Sequence, residues 1–329
     1  MNADPRRTPV AISLEGQVAL VTGAGTGLGR AHALALAERG AAVVINDIAP
    51  SPQSTPGSTP DTTPGTTPAE SVAQEIRAAG GRAAVAYCDV SDEQAVTEMV
   101  ERLVAEFGRV DILINNAGIL RDKSFAKMDL ADFHTVMRVH LTGSVNCSHA
   151  VWPHMIRQGY GRILMTTSAS GIYGNFGQAN YGAAKSALVG LMNVLAIEGE
   201  AKNIRVNSLA PTAATAMTED LLDPADLARL APETLSPGAV FMVSPDAPTK
   251  TILAAGAGVF ATARMEESKG VFLPETARTA DDVAAHWDRI SDMSSPVQTA
   301  SAFEQTRRYV ALAIATESAS EATTAGALL

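Results

Sequence analysis

Gln17-Val-Ala-Leu-Val-Thr-Gly-Ala-Gly-Thr-Gly-Leu-Gly29 is the stretch that decides the fold of this chain. Its apolar first half predicts a buried strand, and its glycine-rich second half predicts a tight turn that opens a helix. Ala and Leu recur at helical spacing from Arg30 to Arg39, and residues 41–45 predict a second strand. A strand, a helix and a second strand in such close succession indicate a parallel βαβ unit.

The alternation of strands and helices continues along most of the chain. Further strands are predicted at 83–87, 110–114, 162–166, 204–209 and 252–260, and helices at 69–79, 92–107, 130–157 (one or two), 179–200, 218–230 and 232–244. This spacing predicts an α/β fold, a Rossmann-type doubly wound parallel sheet of about seven strands.

Other segments fall outside this alternation. Prolines recur every four residues among Ser, Thr and Gly over residues 50–68, which predicts an extended surface insertion. The spacing of Thr279 and Asp282 is that of a capping box and predicts a helix to about Ile290. The predicted organisation is a flexible tail (1–14), one Rossmann domain (15–262), a C-terminal extension (263–312) and a disordered tail (313–329).

Composition excludes several classes of function. The 329 residues carry a net charge of −10 and no basic block, so we expect no nucleic-acid partner. No apolar run is long enough to span a bilayer, and we expect no membrane partner. Cys88 and Cys147 are interpreted as reduced, buried thiols. The first residues do not resemble a secretory signal and the last do not resemble a peroxisomal address, so a cytoplasmic protein is expected.

The glycine-rich turn is a candidate dinucleotide site. Glycines allow the backbone to approach a pyrophosphate, and the helix that follows supplies amide donors and partial positive charge. A purely structural turn is the alternative interpretation. The residues expected to contact the cofactor here are Gly23, Thr26, Gly27, Leu28 and Gly29.

Residues at the ends of later strands extend the candidate cofactor site. Asp47 follows the second strand, where a carboxylate would accept hydrogen bonds from a ribose diol and repel a 2′-phosphate, which favours NAD over NADP. An ordinary acid at the end of a strand is the alternative. Asp89 and Val90 follow the third strand and could face an adenine edge. Asn116-Ala117-Gly118 place small residues where a cofactor would pass.

Tyr181 and Lys185 are the candidate catalytic pair. Residues four apart lie on one face of a helix, so an ammonium is expected beside the phenol, where it would lower the tyrosine pKa. That makes Tyr181 a candidate general acid and base, and Ser168 could hold a substrate oxygen against it. The six histidines and two cysteines show no metal-binding spacing, so no metal is expected.

These motifs, T-G-x-x-x-G-x-G, N-N-A-G, Ser168 and Y-x-x-x-K, in this order closely resemble the short-chain dehydrogenase/reductase family over residues 15–260. The resemblance implies a nicotinamide cofactor and hydride transfer at a carbonyl or alcohol carbon. It implies that Ser168 orients the substrate oxygen, that Tyr181 exchanges the proton, and that Lys185 lowers the tyrosine pKa and binds the nicotinamide ribose.

A subgroup of the family is more similar still. Val139-His-Leu-Thr-Gly143, Trp152-Pro-His-Met155 and Ala284-Ala-His-Trp287 resemble the (3R)-hydroxyacyl-CoA dehydrogenase units of peroxisomal multifunctional enzymes of type 2 and their bacterial relatives. This likeness implies NAD, a 3-hydroxyacyl thioester and a homodimer, with a homotetramer as the alternative assembly.

Two positions depart from the broad family. His140 stands where the family usually has Asn, and the resemblance implies a role for its backbone carbonyl in a water chain to Lys185. Thr212 replaces the usual glycine after Pro211, and the carboxamide contact would fall to Thr215 or Thr218.

Four other hypotheses stay open on the sequence. A steroid or other secondary-alcohol dehydrogenase would use the same catalytic set. An NADPH-dependent 3-oxoacyl carrier reductase is disfavoured by Asp47. A catalytically silent dinucleotide-binding regulator, or a purely structural protein, would keep the fold without the chemistry.

Overall fold

The apolar runs of the sequence become the strands of one sheet. The computed structural model describes residues 11–48, 67–213 and 229–326. Within them eight strands pair in the order β3-β2-β1-β4-β5-β6-β7-β8, all parallel except β7 with β8. The strands are β1 (Val18–Thr22), β2 (Ala42–Asp47), β3 (Ala83–Tyr87), β4 (Ile112–Asn115), β5 (Gly161–Thr166), β6 (Ile204–Thr212), β7 (Ile252–Gly256) and β8 (Val259–Ala263). The predicted α/β class is confirmed.

Helices connect successive parallel strands, as a doubly wound sheet requires. They are α1 (Gly27–Glu38), α2 (Pro68–Ala78), α3 (Glu93–Phe107), α4 (Leu130–Met137), α5 (Gly143–Gln158), α6 (Ala169–Tyr173), α7 (Ala179–Gly199) and α8 (Ser236–Met242), followed by α9 (Ala280–Ala285), α10 (Trp287–Ile290) and α11 (Ala302–Gly326). None of the helices described is both long and apolar enough to cross a membrane.

The core forms two layers, one on each face of the sheet. Side chains alternate along β1, so Val18 and Leu20 point into one layer and Ala19 and Val21 into the other. The first layer packs against α3, α5 and α7, and the second against α1, α2 and α8. Burial on both faces explains why these strands are continuous apolar runs in the sequence.

The structure differs from the predicted elements at four places. The strand predicted at 252–260 is an antiparallel hairpin, because Ala257 and Gly258 adopt positive φ and reverse the chain. Residues 130–157, predicted as one or two helices, form α4 and α5 joined by a five-residue π-helical segment, Arg138–Thr142, which was not predicted. Helix α2 begins at Pro68, the last residue of the predicted insertion, where the Thr67 side chain caps it. Helix α11 continues to Gly326, into the segment for which the sequence predicts a disordered tail.

The remaining parts of those predictions lie outside the described residues, namely 50–66 of the insertion, 214–228 with Thr215 and Thr218, and the tail at 1–10.

The chain divides into two compact units between Ala263 and Arg264. In the second unit the backbones of Glu267 and Val297 form a bridge. The capping box predicted at Thr279 and Asp282 is confirmed, and the helix that it starts ends at Ala285, before the short helix α10.

Candidate active site

The candidate site lies at the carboxyl edge of the parallel strands. Strands β1 and β4 are neighbours in the sheet, although two strands separate them in the sequence. The chain therefore leaves them in opposite directions, which opens a crevice where ligands of such sheets bind. The glycine turn follows β1, Asn116 follows β4, and Ser168 lies just beyond β5.

The glycine turn fits a dinucleotide phosphate. Gly23 and Gly27 have φ of +61° and +54°, which favours glycine at both positions. A Cβ on Gly29 would lie 2.2 Å from the carbonyl oxygen of Gly23, so the packing of turn and helix requires glycine. Helix α1 begins at Gly27, and no side chain caps it, since the hydroxyl of Thr26 makes no capping bond. Its first amides can therefore bind an anion.

Asn116 ties the strand β4 end to this turn. Its Nδ2 donates to the carbonyl oxygens of Thr22 (2.9 Å) and Gly23 (3.1 Å). The Thr22 hydroxyl accepts hydrogen bonds from the backbone amides of Asn116 and Ala117, both at 3.0 Å. The sequence indicates small residues beside a cofactor here but not this bracing role, because residues about ninety positions apart supply its two halves.

Asp47 holds the outer side of the turn. Its Oδ2 accepts a hydrogen bond from the amide of Gly25 (2.8 Å), and its Oδ1 accepts one from Ile48 (2.8 Å). A carboxylate has about four acceptor positions, so two remain for a ribose diol. The carboxylate therefore fits the adenosine end of a dinucleotide.

The loop after β3 is held by one local and one long-range hydrogen bond. Asp89 Oδ1 accepts from the amide of Ser91 at 2.8 Å, and Asn146 Nδ2 donates to the carbonyl of Val90 at 2.9 Å. Pro211 lies within β6, opposite Ala255 of β7.

Ser168, Tyr181 and Lys185 are brought together as expected. The Ser168 hydroxyl lies near the Tyr181 phenol and favours its ionised form. Lys185 lies one helical turn after Tyr181 on α7, with its Nζ 5.5 Å from the centre of the phenol ring. Its ammonium donates to the carbonyl of Thr166 at 2.5 Å. The arrangement can orient a hydroxyl or carbonyl oxygen and exchange a proton with it.

The electrostatics of this trio differ from the sequence prediction in one respect. Lys185 is 3% exposed, and burial lowers its pKa to about 7. Burial also raises the pKa of Tyr181, partly opposed by the nearby Ser168 hydroxyl. The lowered phenol pKa predicted from the sequence is therefore wrong for this structure, because burial disfavours the phenolate and Nζ is directed to Thr166.

His140 lies in the π-helical segment between α4 and α5. Its carbonyl accepts a hydrogen bond from the Ser144 hydroxyl at 2.7 Å. Its ring packs edge-to-face on the ring of Tyr181, with 5.3 Å between centroids. Burial, with a smaller effect of the charge on Lys185, lowers its pKa to about 3, so the imidazole is neutral at ordinary pH.

Asn180 was not predicted and contributes to the site from within the core. It is fully buried, and its Oδ1 accepts from the amide of Tyr181 while its Nδ2 donates to the carbonyl of Arg121. It therefore fixes the start of α7 to the loop after β4. The only sequence signal was its position next to Tyr181.

Two other observations on the described residues concern regions away from the Ser168, Tyr181 and Lys185 site and the question of a metal ion. A cavity of about 770 Å³ opens at the opposite, amino-terminal edge of the sheet, lined by Glu15, Arg39 and Arg82 among others. No group of acidic, histidine or cysteine side chains in the described ranges could hold a metal ion.

Comparisons with known proteins place this geometry in a family. The sequence model of short chain dehydrogenases matches residues 62–225. A short-chain type dehydrogenase/reductase of Mycobacterium tuberculosis is 42% identical over 282 residues, which are 85% of this chain and 96% of that protein. Peroxisomal multifunctional enzyme A of Dictyostelium discoideum is 41% identical over 296 residues, 90% of this chain and 64% of that protein.

A solved structure agrees with these relatives. Full-length peroxisomal multifunctional enzyme type 2 from Drosophila melanogaster matches with a TM-score of 0.75 and 36% identity, covering 92% of this chain and 50% of that chain. The chain thus spans only part of the multifunctional enzymes that it matches. The chain covers almost the whole length of the Mycobacterium relative. It therefore belongs to the short-chain dehydrogenase/reductase family, whose members are oxidoreductases that use nicotinamide dinucleotides.

Proposed function

We propose that this protein is an NAD-dependent dehydrogenase that interconverts a 3-hydroxyacyl-CoA and the corresponding 3-oxoacyl-CoA. The observation that carries the proposal is that Ser168, Tyr181 and the buried Lys185 lie together, at the same sheet edge as the glycine turn. The likeness to multifunctional enzymes, with His140 at the position usually held by Asn, supports the acyl thioester.

The residues divide the work of proton transfer. In the oxidation direction Ser168 holds the substrate hydroxyl and Tyr181 takes its proton. NAD, when bound, supplies the acceptor for the hydride from C3. A pKa of about 7 suits Lys185 to relay a proton near neutral pH.

NAD would be held by the glycine turn and by Asp47. The pyrophosphate would meet the first amides of α1, and the two remaining acceptor positions of the Asp47 carboxylate would take the ribose diol. A 2′-phosphate would be repelled there by the negative charge. We therefore expect NADP to be the poorer cofactor, and Asp47→Ser to reduce the preference for NAD.

The surroundings of Tyr181 support an apolar substrate. The amide of Lys123 donates to the carbonyl of Gly177 at 3.0 Å, which joins the loop after β4 to the turn before α7. Three aromatic side chains on these joined segments are exposed, Phe125 (73%), Tyr173 (76%) and Phe176 (90%). An apolar rim of this kind would favour an acyl chain by burying it. It would also accept a steroid, the competing substrate class.

The test is a turnover assay that follows absorbance of the reduced nicotinamide. NAD and NADP are compared with 3-hydroxyacyl-CoAs of short, medium and long chain and with a steroid alcohol. We expect turnover with NAD and a thioester. Tyr181→Phe should abolish turnover while dinucleotide affinity, measured by fluorescence titration, stays within about threefold. Dinucleotide binding by the wild type without turnover of any substrate would favour the regulator hypothesis instead.

We propose a homodimer as the assembly. Helices α5 and α7 each expose two apolar side chains, Val145 and Ile156 on α5 and Val194 and Ile197 on α7. Pairing of these faces across a two-fold axis would remove them from water. Light scattering should give twice the chain mass, and Ile197→Lys should give the monomer mass. A wild-type monomer would refute the proposal, and a tetramer would extend it.

A further inference from the structure

The imidazole of His140 is held on two sides. It is 3% exposed, and its Nε2 lies 2.8 Å from the carbonyl oxygen of Ile119 and 3.0 Å from the amide nitrogen of the same residue. On another side the ring meets Tyr181 edge-to-face at an interplanar angle of 86°. The imidazole therefore connects the loop after β4 with the phenol on α7.

Gly118 makes the space that this ring occupies. A Cβ on Gly118 would lie 2.2 Å from Cε1 of His140, 2.8 Å from Nδ1 and 3.0 Å from Nε2. Gly118 does not adopt positive φ, so its backbone conformation does not require glycine. Since its three nearest contacts all belong to one side chain, the His140 ring is the steric reason for glycine here.

The backbone of His140 is also fixed. The π-helical segment Arg138–Thr142 inserts an extra residue between α4 and α5, and Ser144 donates to the His140 carbonyl. Segments of this type are common at functional sites. Nδ1 is buried without a partner, so its hydrogen bonding does not explain the ring's position. The contribution of the ring is its shape and its bond to Ile119.

We propose that Gly118 and His140 form one positioning unit, in which Gly118 leaves the space and the imidazole holds the Tyr181 ring where its hydroxyl meets Ser168. His140 is then a positioning residue, since it acts through Tyr181 and not on the reacting atoms. The kinetic part of the test rests on the proposed function.

The experiment is a double-mutant cycle with Gly118→Ala, His140→Ala and the combined variant. Each single change should lower kcat about tenfold, the order expected for loss of one aromatic contact, with KM and dinucleotide affinity within about threefold. The combined variant should be no slower than His140→Ala, because removal of the imidazole leaves room for the new Cβ. The pH at which kcat is half of its maximum should rise in both single variants, since a Tyr181 ring displaced from the Ser168 hydroxyl loses the influence that lowers its pKa.

A second measurement separates this proposal from the proposed function. Urea unfolding of the same four proteins needs no substrate, and Gly118→Ala should destabilise the wild type much more than the His140→Ala protein. This holds even if no thioester is turned over. If Gly118→Ala does not fold, the combined variant should fold.

Three results would overturn the proposal. The first is an equal loss of stability from Gly118→Ala in both backgrounds, including failure to fold in both. The second is additive losses in kcat. The third is a large loss of dinucleotide affinity from Gly118→Ala in both backgrounds, which would mean that Gly118 serves the cofactor and not the ring.

Discussion

Replacing Lys185 by Met should abolish turnover and at the same time stabilise the protein at low pH. The Lys185 side chain is almost fully buried, and burial lowers its pKa to about 7 from an ordinary value of 10.5. A charged group is therefore kept in an environment that disfavours its charge. Functional groups of this kind commonly reduce the stability of the fold that carries them.

The magnitude follows from the two pKa values. Between about pH 7 and 10.5 the unfolded chain keeps the proton that the folded chain has lost, so stability rises with pH over this window. The shift corresponds to about 5 kcal/mol of destabilisation at pH 6 and about 1 kcal/mol at pH 9.5. The Met variant also loses the bond to Thr166, worth about 1 kcal/mol. We therefore expect it to gain about 4 kcal/mol at pH 6 and almost nothing at pH 9.5.

The assay is urea unfolding followed by circular dichroism at about pH 6 and pH 9.5. Lys127→Met is the matched control, because Lys127 is exposed on the surface. The control should differ from the wild type by less than about 0.5 kcal/mol at both pH values. A Lys185→Met protein that is less stable than the wild type at pH 6, or whose gain does not shrink as pH rises, would refute the reasoning.

Three other changes test the fold that carries the site. Gly29→Ala places a Cβ 2.2 Å from the Gly23 carbonyl oxygen, so it should destabilise the fold by about 1–3 kcal/mol in urea unfolding and remove most dinucleotide binding in a fluorescence titration. Burial lowers the pKa of His32 to about 4, so the wild type should lose up to about 3 kcal/mol as pH falls from 6.5 to 4, and His32→Gln should remove this loss in unfolding measured at both pH values. Asp111 is fully buried and accepts from the Val18 amide at 2.9 Å, so Asp111→Ala should cost about 2–3 kcal/mol, measured by thermal denaturation.

The sheet and the glycine turn could be predicted because their causes are local. A parallel strand covered on both faces must be apolar throughout, as Val18–Thr22 is. The turn after it needs positive φ at Gly23 and Gly27, which only glycine adopts without strain. The proximity of Tyr181 and Lys185 follows in the same way from their spacing on one helix.

Features that depend on burial or on distant contacts were not predictable. Residue spacing places an ammonium beside the phenol but contains no information on how much water each group loses, so the direction of the Tyr181 pKa was predicted wrongly. The π-helical segment at His140 was not predicted for a similar reason. Nothing in the local pattern distinguishes a π-helical segment from a continuous helix.

The sequence by itself determined the order of the strands and helices along the chain, the position of the glycine turn and the spacing that brings Tyr181 and Lys185 together. The tertiary structure alone decided that Asn116 braces Gly23, that Gly118 makes room for His140, and that Lys185 is buried deeply enough to titrate near neutral pH. Local geometry is set by neighbours in the chain, whereas desolvation and steric exclusion depend on which distant segments the fold packs against each other.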